Sequence, residues 1–593
     1  MNVHEKFASF FKDEKLKPFA YLVSKKLSQG HICIHNNVNY EVDFESSSFE
    51  FGEMDWSDLQ KNHLVSLDLS DKKPFIYIND SFYLYRYYNY ETQIENKLRE
   101  LIDNEQGELE NRKNTLVYEL AFIEKLQVDQ KGYDSIMVIE KIDWQLIACL
   151  NSFLHNFSII TGGPGTGKTT TVAKVLALLY KADPDFKVAL AAPTGKAGVR
   201  IQESLNNTFE NELNSSWLKD VSGLKEKINK TVPFTIHRLL GFKRNSPYFK
   251  HDQNNYLNYD VIIVDEASMI DVPMFAKLLN AVKPTARIIL LGDKEQLASI
   301  EAGSLLSDLC DSLNVLNMFE DDVQTFYNQF LADKTKLTDV QLMNNSGALL
   351  FNHIIELKRS YRSQDHPEIS KLSKAIINSS QEDVAKFHKD TGEARIVFDD
   401  QGDKLFKEFV SQFEGYIKEP ETKKALEILN NSKILCGVKN GPKGVYAMNN
   451  KIEQYLKGKT LNTNKLFYEN RPIIVTKNYK DLDLFNGDTG IIRNGKACFL
   501  NSDNEVEEEI PELIAECETV FAMSIHKSQG SEYKNVLVIL PDNADNRVLT
   551  KELLYTGVTR AKESVILLAK EDVINSTIHK SVTRVSGITD RIK

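Results

Sequence analysis

Residues 158–171 read Ser158-Ile-Ile-Thr-Gly-Gly-Pro-Gly-Thr-Gly-Lys-Thr-Thr-Thr171. Within them GGPGTGKT fits G-x-x-x-x-G-K-[ST], a loop that cradles nucleotide phosphates. The strand FSIIT precedes it. TTVAKVLALLY follows as a helix with Val172, Val175, Leu176 and Leu179 on one face. Gly163, Gly165 and Gly167 let backbone N–H groups turn toward phosphate oxygens, and the helix N-terminus adds a favourable field. Pro164, Thr166 and Thr170 complete the candidate ATP-binding loop. Lys168 neutralises the β- and γ-phosphates, and Thr169 holds Mg²⁺ through its hydroxyl. The loop alone does not say what hydrolysis drives, because kinases, GTPases, transporters and helicases share it.

Working outward, the run VIIVDEAS ends in Asp265-Glu266. Acids at a strand's C-terminal end lie beside the phosphate loop. Asp265 then suits the Mg²⁺ shell, and Glu266 suits activation of the attacking water. Paired acids favour hydrolysis over phosphoryl transfer to a small metabolite. Short apolar runs recur with helical stretches between them: FSIIT, VALAAP, DVIIVDE and RIILLGD, then ARIVF, KILCGV, NVLVILP and ESVILLA. This is the rhythm of parallel sheets in an α/β protein, and two sets predict two lobes. The expected domains are an N-terminal domain over 1–120, a first motor lobe over 121–355 and a second over 356–593. Residues 205–231 form a polar insert in the first lobe. A second polar insert, 314–350, is expected to be a mobile excursion. Residues 465–520 are turn-rich and predict a small β-barrel-like insertion. Near the N-terminus, PFIYIND and SFYLYRYY read as a hairpin around Asn79-Asp80. Its tyrosines (Tyr83, Tyr85, Tyr87, Tyr88, Tyr90) are expected on a strand. They are either a base-stacking platform or, favoured here, a face packed on helices or a protein partner.

The 593 residues make room for about three or four domains. No apolar run nears the roughly 18 residues of a membrane span. The N-terminus mixes acids with lysines and does not read as a secretory signal. Six cysteines are scattered without a C-x-x-C pair. That argues against a zinc or iron–sulfur site and a disulfide framework, and for a cytoplasmic setting. A net charge of −11 weighs mildly against a large phosphate-binding surface but leaves a local basic groove possible. No acid–acid–lysine cluster of a two-metal nuclease is visible.

Nine motifs then fall in order: Gln145 in DWQ, GGPGTGKTTT, AAPTGKAGVR, TIHRLLG, VDEASMID, LLGDKEQLASIEAG, LKRSYR, AMSIHKSQGSEY and YTGVTRAK. Over residues 145–570 this series resembles the motor motifs of superfamily-one DNA helicases, and within them the RecD family, the alpha subunits of RecBCD-type exonuclease (exodeoxyribonuclease V) complexes. The resemblance implies two RecA-like parallel-sheet lobes of the P-loop NTPase type, a small mixed α/β N-terminal domain and an SH3-like insertion in lobe two. It implies that Gln145 reads adenine, an edge an amide can match by donating and accepting. Tyr361 stacks on the base. Gln296 senses the γ-phosphate, and Arg362 and Arg560 reach it from lobe two, as planar guanidinium groups suit spread phosphoryl charge. Gln529, Gly530 and Glu532 help join ribose or phosphate to the DNA track. That track is expected to be Pro193, Thr194, Lys196, Thr235, His237, Ser524, His526 and Ser528, groups suited to phosphate and sugar contacts.

The expected function is ATP-dependent 5′→3′ DNA translocation and unwinding at double-strand ends, with RecB and RecC as partners and single- and double-stranded DNA as track. Resection and nuclease activity belong to the complex, in recombinational DNA repair. Stand-alone RecD-like helicases carry a longer N-terminal extension than the roughly 140 residues before this motor. The short N-terminal domain is therefore expected to dock on RecC. Competing readings are a stand-alone DNA or RNA translocase, a vestigial motor acting only in assembly, and a nucleotide kinase or GTPase switch.

Overall fold

The computed structural model describes all residues except 1, 46, 48–50, 52–53, 128–140, 212–215, 222, 244–245, 300, 344–346, 362–365, 390, 399–401, 458–460, 462–464, 483 and 502–504. Strands β1 (Cys33–His35), β2 (Val65–Ser66), β3 (Phe75–Ile78) and β4 (Ser81–Leu84) form an N-terminal sheet in the order β1-β4-β3-β2. β3 and β4 pair antiparallel across Asn79-Asp80, whose φ angles are 46° and 57°. Asn and Asp tolerate that left-handed backbone, which matches the twist of a two-residue hairpin.

The tyrosine stretch departs from the expected strand. β4 stops at Leu84, and a helix runs Tyr85–Glu105. Tyr83 stays on the strand, while Tyr85, Tyr87, Tyr88 and Tyr90 lie on the helix. The downstream residues Ile94, Leu98, Leu101 and Ile102 repeat at three- and four-residue spacing and are buried. That continuous helical stripe outweighs the strand preference of the tyrosines. The stripe packs in one core with Phe157, Ile159 and Ile288, so the helix covers a face of the first motor sheet.

That sheet is parallel throughout, ordered β10-β5-β9-β8-β6-β7. Its strands are β5 (Phe157–Thr161), β6 (Val188–Ala192), β7 (Phe234–Thr235), β8 (Val261–Val264), β9 (Arg287–Gly292) and β10 (Ile354–Glu356). β5, β6, β8 and β9 are buried along their whole lengths, which is why they read as near-continuous apolar runs broken only by Ser158, Thr161 and Arg287. The second parallel sheet is ordered β11-β20-β19-β12-β18. It contains β11 (Ala394–Val397), β12 (Ser432–Cys436), β18 (Ala522–Ser524), β19 (Tyr533–Ile539) and β20 (Ala561–Leu568). Between β12 and β18 the chain leaves this lobe to build a five-stranded antiparallel sheet, the SH3-like insertion. Its strands are β13 (Pro472–Val475), β14 (Thr489–Arg493), β15 (Lys496–Leu500), β16 (Val506–Glu509) and β17 (Cys517–Thr519).

The inserts pack more closely than their polarity predicts. The described part of 205–231 forms helices, with Trp217, Leu224 and Ile228 in the lobe-one core. The described part of 314–350 is likewise no excursion: Phe319, Tyr327, Phe330 and Leu337 join that core, and Phe319 stacks on Trp144. A few well-spaced aromatics suffice to bury a segment whose average composition is polar. The C-terminal residues cross back from lobe two. Arg584 donates to the carbonyls of Ser299, Glu301 and Gly303 at 2.7, 3.0 and 2.7 Å. Ile588 and Ile592 are fully buried beside the Tyr85–Glu105 helix. No described helix is long and apolar enough to cross a membrane.

One buried charge node joins the N-terminal helix to the sheet. Glu105 Oε1 accepts from His155 Nδ1 at 2.8 Å and His353 Nε2 at 2.9 Å, and Oε2 accepts the Asn156 amide at 2.6 Å. Burial pushes the Glu105 carboxyl up, but the ring N–H groups of His155 and His353 outweigh it and hold the carboxyl well below its ordinary 4.5. A folded-state pKa below the unfolded one contributes stability that is present above the unfolded pKa and lost as pH falls. Glu105→Ala leaves His155 Nδ1 and His353 Nε2 without their buried partner and is expected to cost about 3–5 kcal/mol. Urea unfolding near neutral pH checks the loss. Acid titration should show a shallower fall in stability for the variant than for the parent chain; equal acid slopes would refute the node.

Candidate active site between the two lobes

The phosphate loop joins β5 to the helix Lys168–Ala182, as the motif requires. A cleft of about 500 Å³ opens over it. Its walls include Pro164–Thr170, Asp265, Glu266 and Gln296 from lobe one, and Gly530, Glu532 and Arg560 from lobe two. Gly167 has φ 84°, and a Cβ there would meet Gln145 Nε2 at 2.1 Å. Glycine is therefore required both by the backbone and by the glutamine beneath it. Lys168 Nζ donates to the carbonyls of Gly162 at 2.6 Å and Gly163 at 3.1 Å, so it is folded onto its own loop.

Gln145 is buried at the start of the helix Trp144–Leu154, which Asp143 caps. Its Nε2 donates to the Thr166 carbonyl at 3.2 Å, and its Oε1 accepts from Lys174 at 3.2 Å. Its amide is thus oriented by the loop itself. Tyr361 N donates to the Gly165 carbonyl at 2.8 Å, and the Arg359 guanidinium lies 4.9 Å from the Tyr361 ring centroid. Gln145 and Tyr361 line one small recess beside the loop. Arg362 lies outside the described residues.

Asp265 follows β8 directly, and Glu266 has a left-handed φ of 54°. Backbone strain of this kind persists where surrounding structure holds it, often at functional sites. Desolvation, with Glu266 next to it, pushes the Asp265 carboxyl up to about 6, opposed by Lys168 and Arg200. Asp265 and Thr169 line the same cleft, and a carboxylate with a hydroxyl is a donor set that fits a divalent cation.

Lobe two reaches into the GDKEQL loop at several points. Tyr555 Oη donates to Asp293 Oδ2 at 2.9 Å. The Leu297 amide donates to Thr556 Oγ1 at 2.9 Å, and Gln529 Nε2 donates to the Leu297 carbonyl at 2.7 Å. Arg560 is 3% exposed, with Nε on the Thr556 carbonyl at 3.1 Å and Nη1 on the Ser531 carbonyl at 3.3 Å. Glu532 pairs with Arg200 at 3.5 Å and Lys562 at 3.3 Å. Arg200 also donates to the Gly530 carbonyl. Sequence reasoning gave Arg200 and Tyr555 no role. Both lie inside quoted motifs, Arg200 at the end of AAPTGKAGVR and one helical turn after Lys196, Tyr555 at the head of YTGVTRAK, but nothing in the spacing of Tyr555 points to a partner in the first lobe.

The DNA-track residues fall into two groups. Pro193, Thr194, Lys196, Thr235 and His526 are half-buried, and His237 is exposed. Thr194 Oγ1 accepts from Ala197 N and Thr235 Oγ1 from Arg238 N, so both hydroxyls cap helix starts. Burial and Arg200 push Lys196 down to about 8. Ser524 and Ser528 are buried instead. Ser524 Oγ accepts from Lys527 N at 3.3 Å, and Ser528 Oγ donates to the Ile525 carbonyl at 2.7 Å. The insertion overhangs this region, because a Cβ at Gly195 would lie 3.3 Å from the Phe485 ring.

A phosphate loop in one parallel-sheet lobe, faced by an arginine from a second such lobe, defines a two-lobed nucleotide-binding motor of the superfamily-one helicase class. Family models agree: residues 145–302 match an AAA domain and residues 519–568 a UvrD-like helicase C-terminal domain. The chain is 33% identical to the RecBCD enzyme subunit RecD of Haemophilus influenzae over 483 residues, covering 76% of this chain and 72% of that one. It is 29% identical to the RecBCD enzyme subunit RecD of Buchnera aphidicola subsp. Schizaphis graminum, covering 89% of this chain and 86% of that one. It is 27% identical to the ATP-dependent RecD2 DNA helicase of Deinococcus radiodurans, covering 69% of this chain and 46% of that one. The chain belongs to the RecD family.

Proposed function

We propose that this chain is the ATP-driven 5′→3′ DNA helicase subunit of a RecBCD-type complex, working with RecB and RecC on double-strand DNA ends. The observation that carries this reading is the nucleotide cleft itself, walled by Lys168 and Glu266 on one side and Arg560 and Glu532 on the other. A ligand that touches both lobes favours their closure, and hydrolysis releases it. Alternating closure moves a strand bound across both lobes. Gln145 and Tyr361 hold the adenine, Arg362 joins Arg560 at the γ-phosphate, and Thr169 and Asp265 hold Mg²⁺, which neutralises phosphate charge when bound. Pro193, Thr194, Lys196, Thr235, His237 and His526 contact the strand, while Ser524 and Ser528 shape the loop beneath it. The N-terminal domain docks on RecC. The reading includes a cytoplasmic location, supported by six cysteines that are all free thiols.

ATP turnover by the full chain is expected to rise severalfold on adding single-stranded DNA. A larger response to RNA would overturn the DNA assignment, and an absence of either response would favour a nucleotide switch. Unwinding of 5′-tailed over 3′-tailed duplexes checks the polarity. Affinity capture from cells is expected to return RecB- and RecC-like chains; their absence would favour the stand-alone translocase.

A further inference from the structure

Asp293 and Gln296 lie in the GDKEQL loop of lobe one, and both line the nucleotide cleft. Asp293 is 2% exposed. Its carboxylate accepts from three donors: the Glu295 amide at 3.1 Å, Gln296 Nε2 at 3.1 Å and Tyr555 Oη at 2.9 Å. The first two are local. The third comes from the helix Lys551–Val558 of lobe two, five residues before Arg560. Tyr555 is 6% exposed, and its ring belongs to the lobe-two core. A Cβ at Gly163 would sit 3.1 Å from its hydroxyl, so the phosphate loop leaves space for that oxygen.

The consequence lies at Gln296. An ionised carboxylate can only accept, so the Gln296 amide must turn its NH₂ to Asp293. The amide oxygen is then the free end, and it is buried without a partner among the described residues. Such an atom wants a donor. The phosphates of ATP offer acceptors only: they can take the second Nε2 hydrogen, which keeps the γ-phosphate contact that the family resemblance implies, but they cannot satisfy the oxygen. The attacking water offers hydrogens.

We propose that Tyr555 is a positioning residue that, through Asp293, holds the amide oxygen of Gln296 toward the water attacking the γ-phosphate. In the step, the water oxygen bonds to phosphorus, one water proton passes to Glu266, and the bond from phosphorus to the β-phosphate bridging oxygen breaks to release ADP. The second water hydrogen is held by Gln296. Because Tyr555 and Arg560 rise from the same stretch of lobe two, opening the cleft withdraws both together. The γ-phosphate is then hydrolysed only when the lobes are closed. This rests on the ATPase reading above.

The test compares the full chain with Tyr555→Phe, Gln296→Ala and the double variant, measuring kcat and KM for ATP with saturating single-stranded DNA. Tyr555→Phe keeps the ring and is expected to lower kcat about tenfold, the loss of one hydrogen bond to a charged group. KM is expected to stay within about twofold, since the bond touches no part of ATP. Adding Tyr555→Phe to Gln296→Ala is expected to cost nothing further, because residues acting through one another are not additive. Unchanged kcat in Tyr555→Phe, or independent losses in the double variant, would overturn the relay. Asp293→Asn is the second probe should Tyr555→Phe fold poorly, and it is expected to lower kcat at least as much. A parent chain without DNA-stimulated turnover would instead sink the proposed function, and the relay would still be read in its basal turnover.

Discussion

Lys168→Gln is expected to lower ATP turnover about 10²–10³-fold, the usual loss when one charge-stabilising group leaves a preorganised site. In the structure Lys168 rests on the carbonyls of Gly162 and Gly163 at the base of the cleft. Phosphate oxygens would replace those carbonyls as its partners, so the charge is already in place and only the acceptors change. Glutamine can still bond the loop but carries no charge for the transferring phosphoryl group. The fold should survive, because the side chain is not part of the hydrophobic core. Circular dichroism and the unfolding midpoint check that point, and steady-state turnover checks the main one. Turnover within a few-fold of the parent chain would mean that the cleft is not the hydrolytic site.

The second large effect is expected at Arg560. Arg560→Ala should reduce kcat on the order of 10³-fold, as removal of an arginine that stabilises phosphoryl-transfer charge does. Nucleotide binding should change far less, since the loop, Gln145 and Tyr361 remain. The structure already holds the guanidinium at the cleft by the carbonyls of Thr556 and Ser531. Those bonds use Nε and Nη1, and the planar fork still offers Nη2 to a ligand. Arg560→Lys is expected to recover little, because an ammonium cannot keep both carbonyls and reach the phosphate. Single-turnover hydrolysis beside equilibrium binding of a non-hydrolysable ATP analogue separates the two quantities. A loss confined to binding would place Arg560 in recognition rather than in the chemical step.

Much of this molecule was legible locally. The phosphate loop, the acids after β8 and the apolar runs of both parallel sheets were read from residue type and spacing, and the sheets lie where those runs fall. The hairpin turn at Asn79-Asp80 was equally plain. The tyrosine stretch does not show its helix locally, because tyrosine favours strands while the stripe that makes it a helix starts only further on, with Ile94. The packing of the described part of 314–350 is likewise not legible locally, because mean polarity hides Phe319, Tyr327 and Phe330, which carry it. Ser524 and Ser528 share a motif with His526, yet the tight turn there buries their hydroxyls on its own backbone.

Order along the chain therefore determined the chemistry available: a loop that can bind phosphates, two acids, a second lobe with its arginine, and the family these motifs belong to. Only the tertiary structure decided which groups meet. Gln145 lies under Gly167, Arg200 ties the first lobe to Glu532, and Tyr555 reaches Asp293 from 262 residues away. A motif within one strand–loop–helix is set by local backbone geometry, which sequence spacing encodes. A contact across a cleft depends on how two separately built sheets pack, and no local spacing records that.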